Sequence, residues 1–197
     1  LGADLIVVLD ECTPFHVEKG YTRRSMEMSH RWALRSFREF ERTNEGTQAL
    51  CGVVQGGIYE DLRRESTDFV NSQDFFGHAI GGSLGASKEQ MKEVVSMTAP
   101  LLSKERPIHL LGIGGIEDIF MGVRQGIDTF DCVHPTRMAR HGGALVKKEG
   151  HLQIRNACHK EDSNPLEKDC ECLACQKYSR AYIHHLFKAK EILGLQL

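Results

Sequence analysis

Short apolar, β-rich runs recur along the chain at residues 5–10, 49–55, 78–83, 109–115 and 129–136. Most are followed by loop residues and then by apolar positions at helical spacing. After the first run, Met26, Ala33, Phe37 and Phe40 recur at steps of seven, four and three, which lines them along one helical face. Ser66, Phe69 and Val70 mark a second helical stretch, and Met91, Val94, Val95 and Met97 a third ahead of Pro100. Ile116–Arg124 is a shorter fourth. Strand and helix in alternation build βα units around a parallel sheet. Five such units without a Gly-x-Gly-x-x-Gly opening predict part of a (β/α)8 TIM barrel rather than a doubly wound sheet. Eight units do not fit in 197 residues.

The pattern changes after Thr136. Residues 144–146 and 152–154, joined through Lys147-Lys148-Glu149-Gly150, predict a small hairpin. An acidic, cysteine-rich loop follows, and then a helix from near Gln176 to the end. The predicted organisation is therefore α/β: a partial barrel over residues 1–136, then a hairpin, a Cys-rich zinc-binding subdomain and a helix over 137–197. The chain enters a strand within a few residues of Leu1 and stops at Leu197 in a segment that still reads as an amphipathic helix. A fragment of a longer protein is the expectation.

Composition narrows the class. Hydrophobic content of 41% and charged content of 26% are those of a soluble globular protein. A formal net charge of -2 excludes a global field for polyanions, so any nucleic-acid surface is local. No apolar run approaches the roughly 20 residues of a membrane span, and no secretory signal is visible. Seven cysteines, three of them within residues 170–175, favour metal binding in a reducing compartment over a disulfide framework.

Polar or glycine residues end every apolar run: Asp10-Glu11-Cys12, Gln55-Gly56-Gly57, Gly81-Gly82-Ser83, Gly112-x-Gly114-Gly115, and Asp131. In a barrel these ends gather at one face, where active sites are built. A carboxylate suits the N–H and amino edge of a planar heterocycle. A carboxamide and a backbone N–H suit its carbonyl and ring nitrogen. Taken singly, such residues are ordinary turn formers; Asp10, Gln55, Gly82 and Asp131 together have the register of a barrel rim. Arg137 and Arg140 follow Asp131 by six and nine residues, cations that would keep its carboxylate ionised. Asp131 then reads either as a structural ion-pair partner or as a nucleophile able to form a glycosyl intermediate. Cys170-x-Cys172-x-x-Cys175 has the spacing of thiolates converging on one tetrahedral zinc. His184 and His185, nine and ten residues beyond Cys175, read as helix-surface or packing residues. Lys177, Arg180, Lys188 and Lys190, with Arg137, Arg140, His141, Lys147 and Lys148, read either as a solvated face or as a local basic surface for a phosphate backbone.

These segments resemble one family. Asp10-Glu11-Cys12-Thr13-Pro14, Val54-Gln55-Gly56-Gly57, Gly81-Gly82, Leu111-Gly112-Ile113-Gly114, the run from Gly126 to Arg137, and Cys170-x-Cys172-x-x-Cys175-Gln176-Lys177 are similar to queuine tRNA-ribosyltransferases, the tRNA-guanine transglycosylases. The resemblance covers the whole chain in order. It is most specific in Phe-Asp-Cys-Val-x-Pro-Thr-Arg and Cys-x-Cys-x-x-Cys-Gln-Lys, and the Asp-Glu-Cys run resembles the bacterial branch. It implies a cytoplasmic, zinc-containing (β/α)8 barrel, a homodimer when intact. Such an enzyme exchanges guanine at the tRNA wobble position, in the anticodon loop, for a 7-deazaguanine (preQ1 or queuine).

By the same resemblance Asp131 falls on the nucleophile. Asp10 and Gln55 fall on base-recognition residues, and Gly82, beside Gly81, on the backbone donor to the base carbonyl. Cys12 and Leu111 fall on walls of the base pocket. Arg137 and Arg140 fall on positions that engage the RNA, and Cys170, Cys172 and Cys175 on three ligands of one structural Zn2+. The family's general acid/base Asp and stacking aromatic would precede Leu1, and its fourth ligand, a His, would follow Leu197. Leu111 stands where many bacterial members carry Met. Gly81-Gly82-Ser83-Leu84-Gly85 departs from the commoner Gly-Gly-Leu-Ala-Val-Gly near the 7-substituent, which leaves preQ1 and queuine both open. A non-catalytic tRNA-binding subunit of the same family, and a hydrolase with an open zinc site, are the alternatives.

Overall fold

The computed structural model describes residues 2–147 and 150–197; Leu1 and the Lys148 and Glu149 of the predicted hairpin turn lie outside the described residues. The chain divides into two units, Leu1–Cys132 and Val133–Leu197. The first holds strands β1 (Leu5–Val7), β2 (Ala49–Val54), β3 (Gly77–Ile80), β4 (Ile108–Leu110) and β5 (Thr129–Phe130). Between them run helices α1 (Lys19–Thr43), α2 (Glu60–Ser72), α3 (Lys88–Thr98) and α4 (Ile116–Arg124).

All five strands are parallel, and their order in the sheet is their order in the chain. A doubly wound sheet reverses its strand order at a switch point; this one does not, and the sequential winding is that of a partial barrel. β2 and β3 are buried along almost their whole length, as strands covered on both faces are. Val53, Val54, Ala79, Ile80 and Leu110 meet Val70 of α2 and Val94 and Val95 of α3 in one core. Met26 and Ala33 turn the buried face of α1 inward, with Phe37 and Phe40 packed against the core. Each such side chain, fully buried, contributes on the order of 1.5–3 kcal/mol.

The strands are shorter than the apolar runs. The polar and glycine residues at their C-terminal ends leave the ladder and form the rim loops. The largest difference follows β5. Residues 134–136 are the first turn of helix α5 (His134–Arg140) rather than strand, with Pro135 at a helix-initiating position. Among the described residues, no helix is long and apolar enough to cross a membrane.

In the second unit, β6 (Gly143–Val146) and β7 (Gly150–Gln153) form the predicted antiparallel hairpin. Val146, Leu152, Ile154 and Ile183 make its small core. The final helix is not continuous. It is broken into α6 (Leu173–Lys177), α7 (Arg180–Ala189) and α8 (Leu193–Gln196). Tyr178 and Ser179 are extended, and Ser179 Oγ accepts from the Tyr182 N–H to start α7 afresh. Lys190 ends α7 in the left-handed conformation, φ 61°. Local side-chain and backbone bonds overrode an apolar pattern that ran through both breaks.

Candidate functional site

The C-terminal ends of β1 to β5 put the candidate residues on one rim, and contacts run along it without a gap. Asp10, just past β1, accepts a hydrogen bond at Oδ2 from Gln55 Nε2, 2.5 Å away. Burial raises the pKa of Asp10 above its ordinary value, while the Gln55 amide pulls against that shift. Gln55 is fully buried, and its N–H is held by Ser66 Oγ at 2.9 Å. Its Oε1 is a buried acceptor with no hydrogen-bond partner among the described residues. That oxygen rests against Gly82. A Cβ there would collide with it, and φ at Gly82 is +71°, so both space and backbone require glycine. Leu111 packs over Gly81: a Cβ on Gly81 would lie 3.1 Å from Leu111 Cδ1. An opening of about 330 Å3 lies beside Gly82 and Leu111, walled by Leu84, Gly85, Met91 and Ile113.

At the far end of the rim, Asp131 Oδ1 accepts the Gly112 N–H at 2.8 Å. Gly112 has φ +72°, a left-handed conformation that favours glycine. The same Oδ1 lies 3.1 Å from His109 Nε2, and His109 Nδ1 lies 2.8 Å from Thr129 Oγ1. Sequence reasoning looked to Arg137 and Arg140 for a cation beside Asp131. Within the first unit the partner is His109. The carboxylate itself is exposed, and Oδ2 makes no hydrogen bond or ion pair among the described residues.

The structure therefore brings together Asp10, Gln55, Gly81, Gly82, Leu111 and, through Gly112, Asp131. Cys12 is exposed in the loop after β1, and no hydrogen bond or ion pair ties it to this set among the described residues. Arg137 and Arg140 are exposed on α5, in the second unit.

Two residues were missed. One is His109. The other is Arg63 of α2, which is fully buried. Its Nε donates to Gly57 O at 2.7 Å, its Nη1 to Val54 O at 3.1 Å and Gly81 O at 2.8 Å, and its Nη2 to Ser83 O at 3.2 Å. Burial lowers its pKa to about 9, which still leaves it charged at neutral pH. The signal was present: Leu62, Arg63, Ser66, Thr67 and Val70 form the buried face of α2, so helical spacing already put position 63 inside.

In the second unit the Sγ atoms of Cys170, Cys172 and Cys175 lie within 4.8 Å of one another. Thiolates about 2.3 Å from a tetrahedral ion sit somewhat closer than that, so the cluster fits zinc with a small inward adjustment. The Cys175 N–H and the neighbouring sulfurs lower the pKa of Cys172, while burial raises that of Cys175 to about 11. His184 is buried, with Nδ1 2.8 Å from Ile154 O, and serves packing. An apolar cavity of about 380 Å3 nearby, walled by Met138, Leu145 and Phe187, lacks the convergent polar groups of the rim.

A family model described as queuine tRNA-ribosyltransferase matches residues 1–197. Among similar proteins, the queuine tRNA-ribosyltransferase of Roseiflexus sp. (strain RS-1) is 47% identical over 209 residues, covering 100% of this chain and 52% of the relative. That of Aliivibrio salmonicida (strain LFI1238) is 48% identical over 198 residues, and that of Halothermothrix orenii 47% over 198, with the same coverage. The chain spans about half the length of the curated relatives it matches.

Proposed function

This chain belongs to the queuine tRNA-ribosyltransferase family, and on that premise we propose that it carries the base-recognition rim and the nucleophile of a tRNA-guanine transglycosylase. Asp131 Oδ2 attacks C1′ of the wobble nucleotide. The C1′–O bond forms as the C1′–N9 bond breaks, and guanine leaves with the bonding pair and takes up a proton from solvent. A 7-deazaguanine then attacks the same carbon through N9, giving up its N9 proton. The C1′–O bond breaks and the Asp131 carboxylate is restored. Two displacements on one carbon retain its configuration.

Asp10 accepts from the amino and N–H edge of the base. Gln55 and the Gly82 N–H address its carbonyl side, with Gly81, Leu111 and Cys12 as walls. Arg137 and Arg140 engage the RNA around the anticodon loop. Cys170, Cys172 and Cys175, with one further ligand, would hold a structural zinc ion, which would fix the 170–175 loop. The intact protein works in the cytoplasm as a homodimer.

The observation that supports this reading best is the unbroken rim. A half-buried carboxylate paired with a fully buried carboxamide, suited to a planar base, stands on the same edge as an exposed carboxylate whose attacking oxygen has no hydrogen bond or ion pair among the described residues. The test is covalent trapping. At the full length of the family, the protein forms a tRNA adduct that survives denaturing electrophoresis, and Asp131→Ala abolishes it. An adduct that persists in Asp131→Ala refutes the nucleophile assignment.

A further inference from the structure

We propose that His109 is a positioning residue for Asp131, one that lowers the standing level of the covalent intermediate by stabilising the carboxylate over the ester. The inference rests on the reading of Asp131 as nucleophile. The geometry begins with register. His109 pairs with Thr129 across β4 and β5, and Asp131 is two residues beyond Thr129 on the same face. All three side chains therefore meet above one strand pair, as the 2.8 Å and 3.1 Å contacts record.

Chemistry sets the direction of each bond. An ionised carboxylate only accepts, so His109 Nε2 carries the proton and donates to Asp131 Oδ1. Nδ1 of the neutral ring is then an acceptor, and the Thr129 hydroxyl donates to it and fixes that tautomer. The Gly112 N–H is a second donor to the same Oδ1. Both donors sit on one oxygen, which leaves Oδ2 to face the sugar.

The consequence is signed. Donors to Oδ1 are strongest when Asp131 is charged and weaker once Oδ2 is esterified and Oδ1 is a neutral carbonyl. They favour breaking the C1′–O bond, when the negative charge returns to Asp131, over forming it. Removing the His109 donor therefore shifts the balance between free enzyme plus tRNA and adduct plus guanine toward the adduct. A hydrogen bond to a charged group differs from one to a neutral group by enough to move that ratio about tenfold. Damage to the fold would lower the adduct level instead.

The experiment measures the adduct fraction at fixed guanine and tRNA concentrations, in the protein at the full length of its family. Variants are His109→Leu, His109→Gln and Thr129→Val, with Asp131→Ala as control. The expected result is an adduct-to-free ratio raised about tenfold in His109→Leu, with slower discharge by added guanine. Thr129→Val moves the same way by a smaller factor, and His109→Gln, which keeps an N–H donor, lies near the parent. An unchanged or lowered ratio in His109→Leu, with normal trapping in the parent and none in Asp131→Ala, overturns the inference but leaves the nucleophile intact. Trapping that survives Asp131→Ala overturns both.

Discussion

Arg63→Met is the most informative perturbation away from the reacting atoms. The guanidinium bonds four carbonyls, and among the described residues only Val54 O has another donor, the Gly81 N–H at 3.1 Å. The substitution leaves the buried carbonyls of Gly57 and Gly81 and the half-buried carbonyl of Ser83 without that donor. An unsatisfied buried acceptor costs about 1–3 kcal/mol, and the variant recovers part of that because a buried charge is also removed. A net loss of about 3 kcal/mol follows, which for a chain of this size lowers the melting temperature by roughly 6–12 °C.

The larger effect is on the base site. The Gly81 carbonyl and the Gly82 N–H belong to one planar peptide and point in opposite directions. By gripping Gly81 O, Arg63 aims the Gly82 N–H the other way. Through Val54 O the same nitrogen fixes the peptide that carries the Gln55 N–H. The KM for guanine should therefore rise about tenfold, the loss of roughly one well-aimed hydrogen bond, while the KM for tRNA stays within about twofold. Arg63→Lys, a point charge without the fork, falls between. Calorimetry and guanine-exchange kinetics on the full-length protein read both numbers. A melting temperature within about 2 °C of the parent, or a guanine KM that does not move, refutes the clamp.

Two further predictions concern acid and metal. His78 in β3 is fully buried with neither ring nitrogen hydrogen-bonded among the described residues, and burial, with Arg106 adding to it, lowers its pKa from 6.5 to about 4. Between those values the unfolded chain binds a proton that the folded chain refuses. Stability is therefore complete above pH 6.5 and declines as pH falls toward 4, by roughly 3 kcal/mol at the limit. Urea titrations at pH 7 and pH 4.5 should show that decline, and His78→Leu should weaken it, leaving the part due to His30, whose pKa burial also lowers to about 4; an equal pH slope in the variant contradicts the assignment. Elemental analysis should find about one zinc per chain, and chelation should raise amide exchange over residues 133–197 while the core strands β2 and β3 stay protected. Metal-free protein with unchanged exchange in that segment would mean the thiol cluster needs no ion.

The strand-and-helix order was legible because its signals are local. Apolar runs ended by Gly or Asp marked the rim, and helical spacing marked α1 to α4, including both ends of α4. Helix breaks at Tyr178 and Lys190 were not legible. They depend on a hydroxyl bonding a backbone N–H and on one left-handed residue, neither of which alters the apolar pattern around them.

The pairing of His109 with Asp131 lies at a different level. Its alternation was readable, since Ile108 and Leu110 are buried and His109 between them must face the other way. What alternation cannot supply is which residue of β5 stands opposite. Register sets that, and a shift of one residue would have placed Thr129 and Asp131 on the opposite face. Candidate residues at strand ends can thus be found one strand at a time, whereas the groups that tune them come from the neighbouring strand. A reading that ranks residues by their own run of sequence finds Asp131 and assigns it the nearest cations in the chain, Arg137 and Arg140. Within the first unit the sheet gives it His109 and the Gly112 N–H.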